Sequence, residues 1–81
     1  MVGFYIVYLL KCSDGTTYTG CTSNLEQRLE AHRKGSVSYT KSRLPVTLTT
    51  YIAFNDKAKA FQFEKYLKSG SGKAFSNKRF V

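Results

Sequence analysis

Residues 5–32, YIVYLLKCSDGTTYTGCTSNLEQRLEAH, constrain the fold more tightly than any other stretch. An apolar run from Tyr5 to Leu10 meets Ser13-Asp14-Gly15, a Thr/Tyr-rich segment returns to Gly20, and a helix opens at Ser23-Asn24. The run has the composition of a strand and is bounded by turn residues. Asp14-Gly15 supplies the reversal, because glycine accepts the left-handed backbone that closes a short hairpin. Ser23-Asn24 can start the helix, because side chains of these types satisfy a first-turn amide that has no intrahelical partner. A hairpin feeding a helix is the expected local structure.

Loop length decides which side chains share a face. With Ser13-Asp14-Gly15 as a three-residue loop, Cys12 faces Thr16, Leu10 faces Tyr18 and Tyr8 faces Gly20. Tyr8 and Tyr18 then lie on one face, and Gly20 leaves space beside Tyr8. A two-residue loop of Asp14-Gly15 would put the tyrosines on opposite faces. The three-residue register is the expectation. It also sets Cys21 opposite Val7, so Cys12 and Cys21 point to opposite faces and cannot bridge. Neither has the paired spacing of a zinc site.

At about 100° per residue, Leu25 and Leu29 mark the inward face of the helix, with His32 on the edge of that face. Arg28 and His32, one turn apart, are aimed toward the sheet, and Glu26, Gln27, Glu30 and Lys34 away from it. Taken singly, each has an ordinary structural reading: a core tyrosine, a snorkelling arginine, a packing histidine. Their joint placement suggests a site.

Thirteen Lys and Arg against five Asp and Glu leave a net charge of +8 on 81 residues. Such an excess points to nucleic acid ahead of an anionic membrane. Phe4 to Leu10 lacks the preceding charge and cleavage site of a signal peptide, and is far short of the roughly 20 residues of a membrane span. A cytoplasmic protein with no membrane contact is expected.

Gly35 ends the first helix, and a Ser-rich basic segment runs to Pro45. Arg33, Lys34, Lys41 and Arg43, with Tyr39 among them, suit a phosphate-binding rim or a solvated connector. Val46 to Phe54 reads as a third strand. Asn55-Asp56 offers a cap for a helix over Lys57 to Ser69, whose inward face follows Ala60, Phe63 and Leu67. Glu64 takes the remaining inward slot. A carboxylate there costs several kcal/mol if unpaired in the interior, so it needs Arg28, a nearby Lys, a metal ion, or an edge position from which it reaches water. The tail from Ser69-Gly70-Ser71-Gly72 onward carries Lys73, Lys78 and Arg79 around Phe75 and Phe80, placed to dock on a sheet edge or to touch nucleic acid.

Ile6-Val7-Tyr8, then Tyr18-Thr19-Gly20, with Arg28 eight residues after the glycine and His32 four later, resembles the GIY-YIG nuclease domain. The first triplet lacks its Gly, and Thr19 stands where Ile or Val is usual. The stretch FEKYLKSGSGKAF is similar to the short, stand-alone bacterial members, which are related to the catalytic domain of the excision-repair incision subunit. The expected fold is a small α+β domain over residues 1–81, a three-stranded antiparallel sheet flanked by helices in the order β-β-α-β-α plus a short tail, with the site residues converging on one face.

The resemblance implies a metal-dependent DNA endonuclease with structure or lesion preference, as in DNA repair. The alternative is a non-catalytic nucleic-acid-binding module of the same fold. By resemblance, Tyr8 is the general base or positions the attacking water, with a nearby metal and cations favouring phenolate character. Tyr18 holds the phosphate or water beside it, Arg28 binds the scissile phosphate, and His32 relays a proton or contacts phosphate. Glu64 holds one magnesium or manganese ion at the leaving oxygen, and Gly20 is structural in the site. Implied partners are nucleic acid, DNA ahead of RNA, and a protein for targeting; a monomer or weak dimer is expected.

Overall fold

Gly15, at φ +87°, closes the hairpin as the left-handed third residue of its loop, and the Cys12 amide donates to the Thr16 carbonyl at 2.8 Å. Asp14 Oδ1 accepts from the Thr16 amide at 3.0 Å, which locks the turn from inside. The computed structural model describes residues 3–69. Within them β1 spans Tyr5–Lys11 and β2 Thr17–Thr22, paired antiparallel with Tyr8 opposite Gly20 and Leu10 opposite Tyr18. This is the three-residue register, and Cys21 falls opposite Val7. Both cysteines are free.

Helix α1 (Leu25–Arg33) begins at Asn24, whose Oδ1 accepts from the Gln27 amide at 3.1 Å. Strand β3 (Thr47–Phe54) returns antiparallel on the other side of β1, giving the sheet order β2-β1-β3. Helix α3 (Lys57–Lys68) starts at Asp56, whose Oδ1 accepts from the amides of Ala58 and Lys59 at 2.8 and 3.2 Å.

Being central explains why β1 reads as continuous apolar text. Its odd-numbered Val7 and Leu9 pack against Ala60 and Leu67 of α3, bordered by Tyr5, Cys21, Phe54 and Phe63. Its even-numbered residues turn toward α1. All five residues from Ile6 to Leu10 are buried, a consequence of cover on both faces. Each such aliphatic side chain contributes roughly 1.5–3 kcal/mol relative to an exposed one.

Three expectations need correction. Leu25 and Leu29 are only half-buried, and the deepest residue of α1 is His32. The segment expected as an irregular connector contains a four-residue helix, α2 (Ser38–Lys41), seated by buried Val37 and Thr40. Those two residues lie one turn apart, so a short helix lets both point inward. The element order is therefore β-β-α-α-β-α, with β3 starting at Thr47 and α3 ending at Lys68. The tail around Phe75 and Phe80 lies outside the described residues. Among the described residues no helix is long and apolar enough to cross a membrane.

Candidate active site

The central strand carries Tyr8 on the face turned toward α1. Its ring lies against Gly20: a Cβ built at Gly20 would fall 2.4 Å from Tyr8 Oη and 2.5 Å from Cζ. The space left by the glycine is thus occupied by Tyr8 itself. Tyr18, on the same face, sets its ring 6.2 Å from that of Tyr8. Helix α1 crosses this face and supplies two further groups from consecutive turns. Arg28 Nε donates to Tyr8 Oη at 3.3 Å, and His32 Nε2 lies 2.9 Å from the same oxygen. The His32 ring meets Tyr18 edge-on at 5.0 Å. Its other nitrogen, Nδ1, lies 2.7 Å from Thr40 Oγ1 on α2. Tyr39, also on α2, sets its ring 5.4 Å from that of Tyr18.

Tyr8, His32 and Thr40 are wholly buried, while Tyr18 and Arg28 are half-exposed. The cluster therefore has a closed interior and a mouth formed by Tyr18 and Arg28.

Burial dominates the electrostatics. It pushes the Tyr8 phenol up to about 12, against the opposing pull of the hydrogen bond from Arg28. Desolvation of the anion outweighs the one neighbouring cation, Arg28, so these residues by themselves favour the neutral phenol. Arg28 is raised above its ordinary value, first by its hydrogen bond to Tyr8. His32 is held below its ordinary 6.5, by burial first and by the Arg28 charge second.

A depressed histidine binds fewer protons folded than unfolded. Its stabilising contribution is complete above about pH 6.5 and drains away as pH falls through the folded-state value. Melting temperatures measured from pH 7.5 down to 5 are expected to fall more steeply for wild type than for His32→Gln. Parallel curves would show that His32 is not buried in the neutral form.

The site expectations divide into two groups. Tyr8, Tyr18, Arg28, His32 and Gly20 come together on one face. Glu64 does not join them, because α3 packs on the opposite, odd-numbered face of β1. Its carboxylate is half-buried and pairs with Lys68 at 3.0 Å, and it lies close enough to Cys21 to help raise that thiol, after burial. Since Cys21 is on edge strand β2, Glu64 lies near that edge of the sheet. Convergence of all site residues on one face is corrected accordingly. The reason lies in the topology: β3 sits beyond β1, and the chain leaving it returns over the other layer.

The expected basic rim is likewise mixed. Arg33 and Lys34 are exposed and share Glu30, at 3.6 and 3.8 Å. Arg43 is a strap: its Nε pairs with Asp14 at 3.1 Å, and its guanidinium lies 4.1 Å from the Tyr39 ring centre, tying α2 to the hairpin turn. Lys41 is exposed at the end of α2. Sequence reasoning missed Thr40; its only signal was the three-residue spacing from Val37, within a stretch whose serines read as a connector.

Residues 4–79 match the GIY-YIG catalytic domain. The chain is 44% identical over 69 residues to the UPF0213 protein of Streptococcus agalactiae, covering 84% of this chain and 78% of that one. It is 41% identical over 63 residues to the UPF0213 protein of Halobacterium salinarum, covering 76% and 82%. The solution NMR structure of the UPF0213 protein of Bacillus halodurans superposes with a TM-score of 0.60 at 33% identity, covering 93% of this chain and 83% of that one.

Proposed function

The chain belongs to the GIY-YIG family, and from that premise we propose that residues 1–81 form one nuclease domain, a metal-dependent endonuclease that hydrolyses DNA phosphodiester bonds. A net charge of +8 suits a polyanionic substrate. A domain of this size has little surface for reading a long sequence, so structure or lesion preference is the fitting form of selectivity.

The observation that supports the reading best is the buried oxygen of Tyr8, held between Arg28 Nε and His32 Nε2 beneath Tyr18. A phenol held near 12 is a poor base alone, but a neutral phenol can take a proton on its oxygen while passing its own to an acceptor. His32, kept neutral by burial, is such an acceptor. Water admitted between Tyr18 and Arg28 gives its proton to Tyr8 and attacks phosphorus, and Tyr8 gives its proton to His32. General-base assistance of this kind contributes roughly 10²–10⁴ in rate. Arg28 binds the scissile phosphate through its terminal amines and offsets the charge that grows in the transition state. Tyr18 positions the phosphate at the mouth.

Among the described residues no group of three or more His, Cys, Asp or Glu could hold a metal ion. A metal would rest on Glu64 alone, which suits magnesium or manganese, ions that keep water and take substrate phosphate alongside one or two carboxylates. One carboxylate oxygen, Oε2, faces Lys68, and Oε1 takes no hydrogen bond among the described residues. When bound, such an ion supplies Lewis-acid stabilisation of the leaving 3′ oxygen.

The Glu64–Lys68 pair also favours a second reading, a nucleic-acid-binding module in which Glu64 is structurally satisfied and the tyrosine cluster is core.

Cleavage of supercoiled plasmid and of branched or flapped DNA, by wild type and Glu64→Ala with magnesium, manganese or EDTA, separates the two. Metal-dependent nicking by wild type is expected. Glu64→Ala should slow it by at least about a hundredfold, with DNA binding retained. Equal binding by both proteins with no cutting under any metal would leave the binding module.

A further inference from the structure

Thr40 lies outside every element of the proposed reaction, yet it is wholly buried and sits 2.7 Å from His32 Nδ1. We propose that Thr40 is a positioning residue that sets the tautomer of His32, holding the imidazole proton on Nδ1 so that Nε2 is free to receive the proton of Tyr8.

The donors and acceptors around the two oxygens carry the inference. Guanidinium nitrogens only donate, so the Arg28 contact uses a lone pair of Tyr8 Oη. The phenol proton must then find an acceptor, and His32 Nε2 stands 2.9 Å away. Accepting there requires Nε2 to be bare, and a neutral imidazole with a bare Nε2 carries its proton on Nδ1. That proton points at Thr40 Oγ1. The threonine hydroxyl in turn has the carbonyl of Val37, the N-cap of α2, as acceptor, at 3.5 Å. Donation thus runs one way along the network, from Arg28 to Tyr8 to His32 to Thr40 to the backbone. Among the described residues no buried side-chain nitrogen or oxygen is left without a partner.

The opposite tautomer reverses two of these bonds. Nε2–H and Arg28 would both donate to Tyr8, and the phenol proton would have to turn to Tyr18. Such a site cannot pass a proton from Tyr8 to His32.

Thr40 has a second effect during turnover. When the Tyr8 proton moves to Nε2, His32 becomes an imidazolium in a buried place beside the Arg28 charge. Its Nδ1–H already rests on the Thr40 oxygen, and its new Nε2–H faces the Tyr8 oxygen, which has just taken the proton of the attacking water. Both donors of the cation are satisfied without rearrangement.

The kinetic half of this inference rests on the nuclease reading, whereas the tautomer half stands apart from it. His32 is the sole histidine of the chain, so a long-range ¹H–¹⁵N spectrum reports one imidazole and needs no assignment. Wild type at pH 7.5 is expected to show a pyrrole-type Nδ1 and a pyridine-type Nε2. Thr40→Ser should keep that pattern, and Thr40→Val, which preserves shape and removes the hydroxyl, should lose it. In cleavage assays Thr40→Val should lower kcat by about 10- to 100-fold, the range for loss of a histidine's orienting partner, with KM unchanged and Thr40→Ser close to wild type.

A protonated Nε2 in wild type, an unchanged tautomer in Thr40→Val, or equal losses in the Ser and Val variants would each overturn the proposal. Should Thr40→Val fail to fold, the wild-type spectrum still decides the tautomer. If wild type cuts no substrate, the nuclease reading fails, and the spectra still judge Thr40.

Discussion

Tyr8→Phe is expected to cleave DNA roughly 10²–10⁴-fold more slowly than wild type, the usual weight of a positioned proton-transfer group, while binding the same DNA as tightly. The substitution removes a single atom, the oxygen on which Arg28 and His32 meet. The ring that fills the space against Gly20 is kept. Binding is spared because Tyr8 is buried and phosphate reaches Arg28 and Tyr18 first. Stability should fall by about 1–3 kcal/mol, since the buried Nε2 of His32 loses its partner. Single-turnover cleavage, a filter-binding titration and a urea melt read the three effects separately. A Tyr8→Phe protein that cuts at the wild-type rate would remove the phenol from the chemistry, whatever the domain does with DNA.

Gly20→Ala should damage the same site from the opposite side. The added methyl would stand 2.4–2.8 Å from three atoms of the Tyr8 ring and hydroxyl, closer than side-chain carbons approach one another. Tyr8 cannot swing away freely: it is wholly buried, bonded to Arg28 and His32, and flanked by the Tyr18 ring. Overpacking of this sort costs about 1–3 kcal/mol. Displacing a reacting oxygen by about 1 Å can cost a hundredfold in rate. Reduced thermal stability together with a loss of cleavage near that size is therefore expected, with DNA affinity little changed. A Gly20→Ala protein as stable and active as wild type would mean that the Tyr8 ring does not occupy the place it has here.

How much of this was legible beforehand depends on the range of the interactions. The pairing of Tyr8 with Gly20 and of Leu10 with Tyr18 follows from a three-residue loop and a strand period of two, both local rules. The caps at Asn24 and Asp56 and the spacing of Arg28 and His32 are local too. Each involves residues within a turn or a hairpin of one another. The depth of His32 was not legible, because helical periodicity gives a face but not how deeply each turn of α1 is buried. His32, in the last turn, is buried more deeply than Leu25 or Leu29.

Thr40 was hidden for a similar reason. Nothing near it in the chain says that α2 will fold back until Oγ1 meets an imidazole eight residues earlier. Arg43 looked like a free phosphate ligand, and became a strap because Asp14, 29 residues away, lies under it. Glu64 is half-buried on its helix, but helical periodicity names no layer.

The sequence by itself determined the hairpin, its register, the helix starts and the type of each side chain at the tyrosine face, since these follow from backbone geometry over a few residues. Only the tertiary structure decided the layer holding Glu64, the closing of Thr40 onto His32, and the upward shift of the Tyr8 phenol. Desolvation, which sets that last property, depends on everything packed around the group, and here that packing comes from elements distant in the chain.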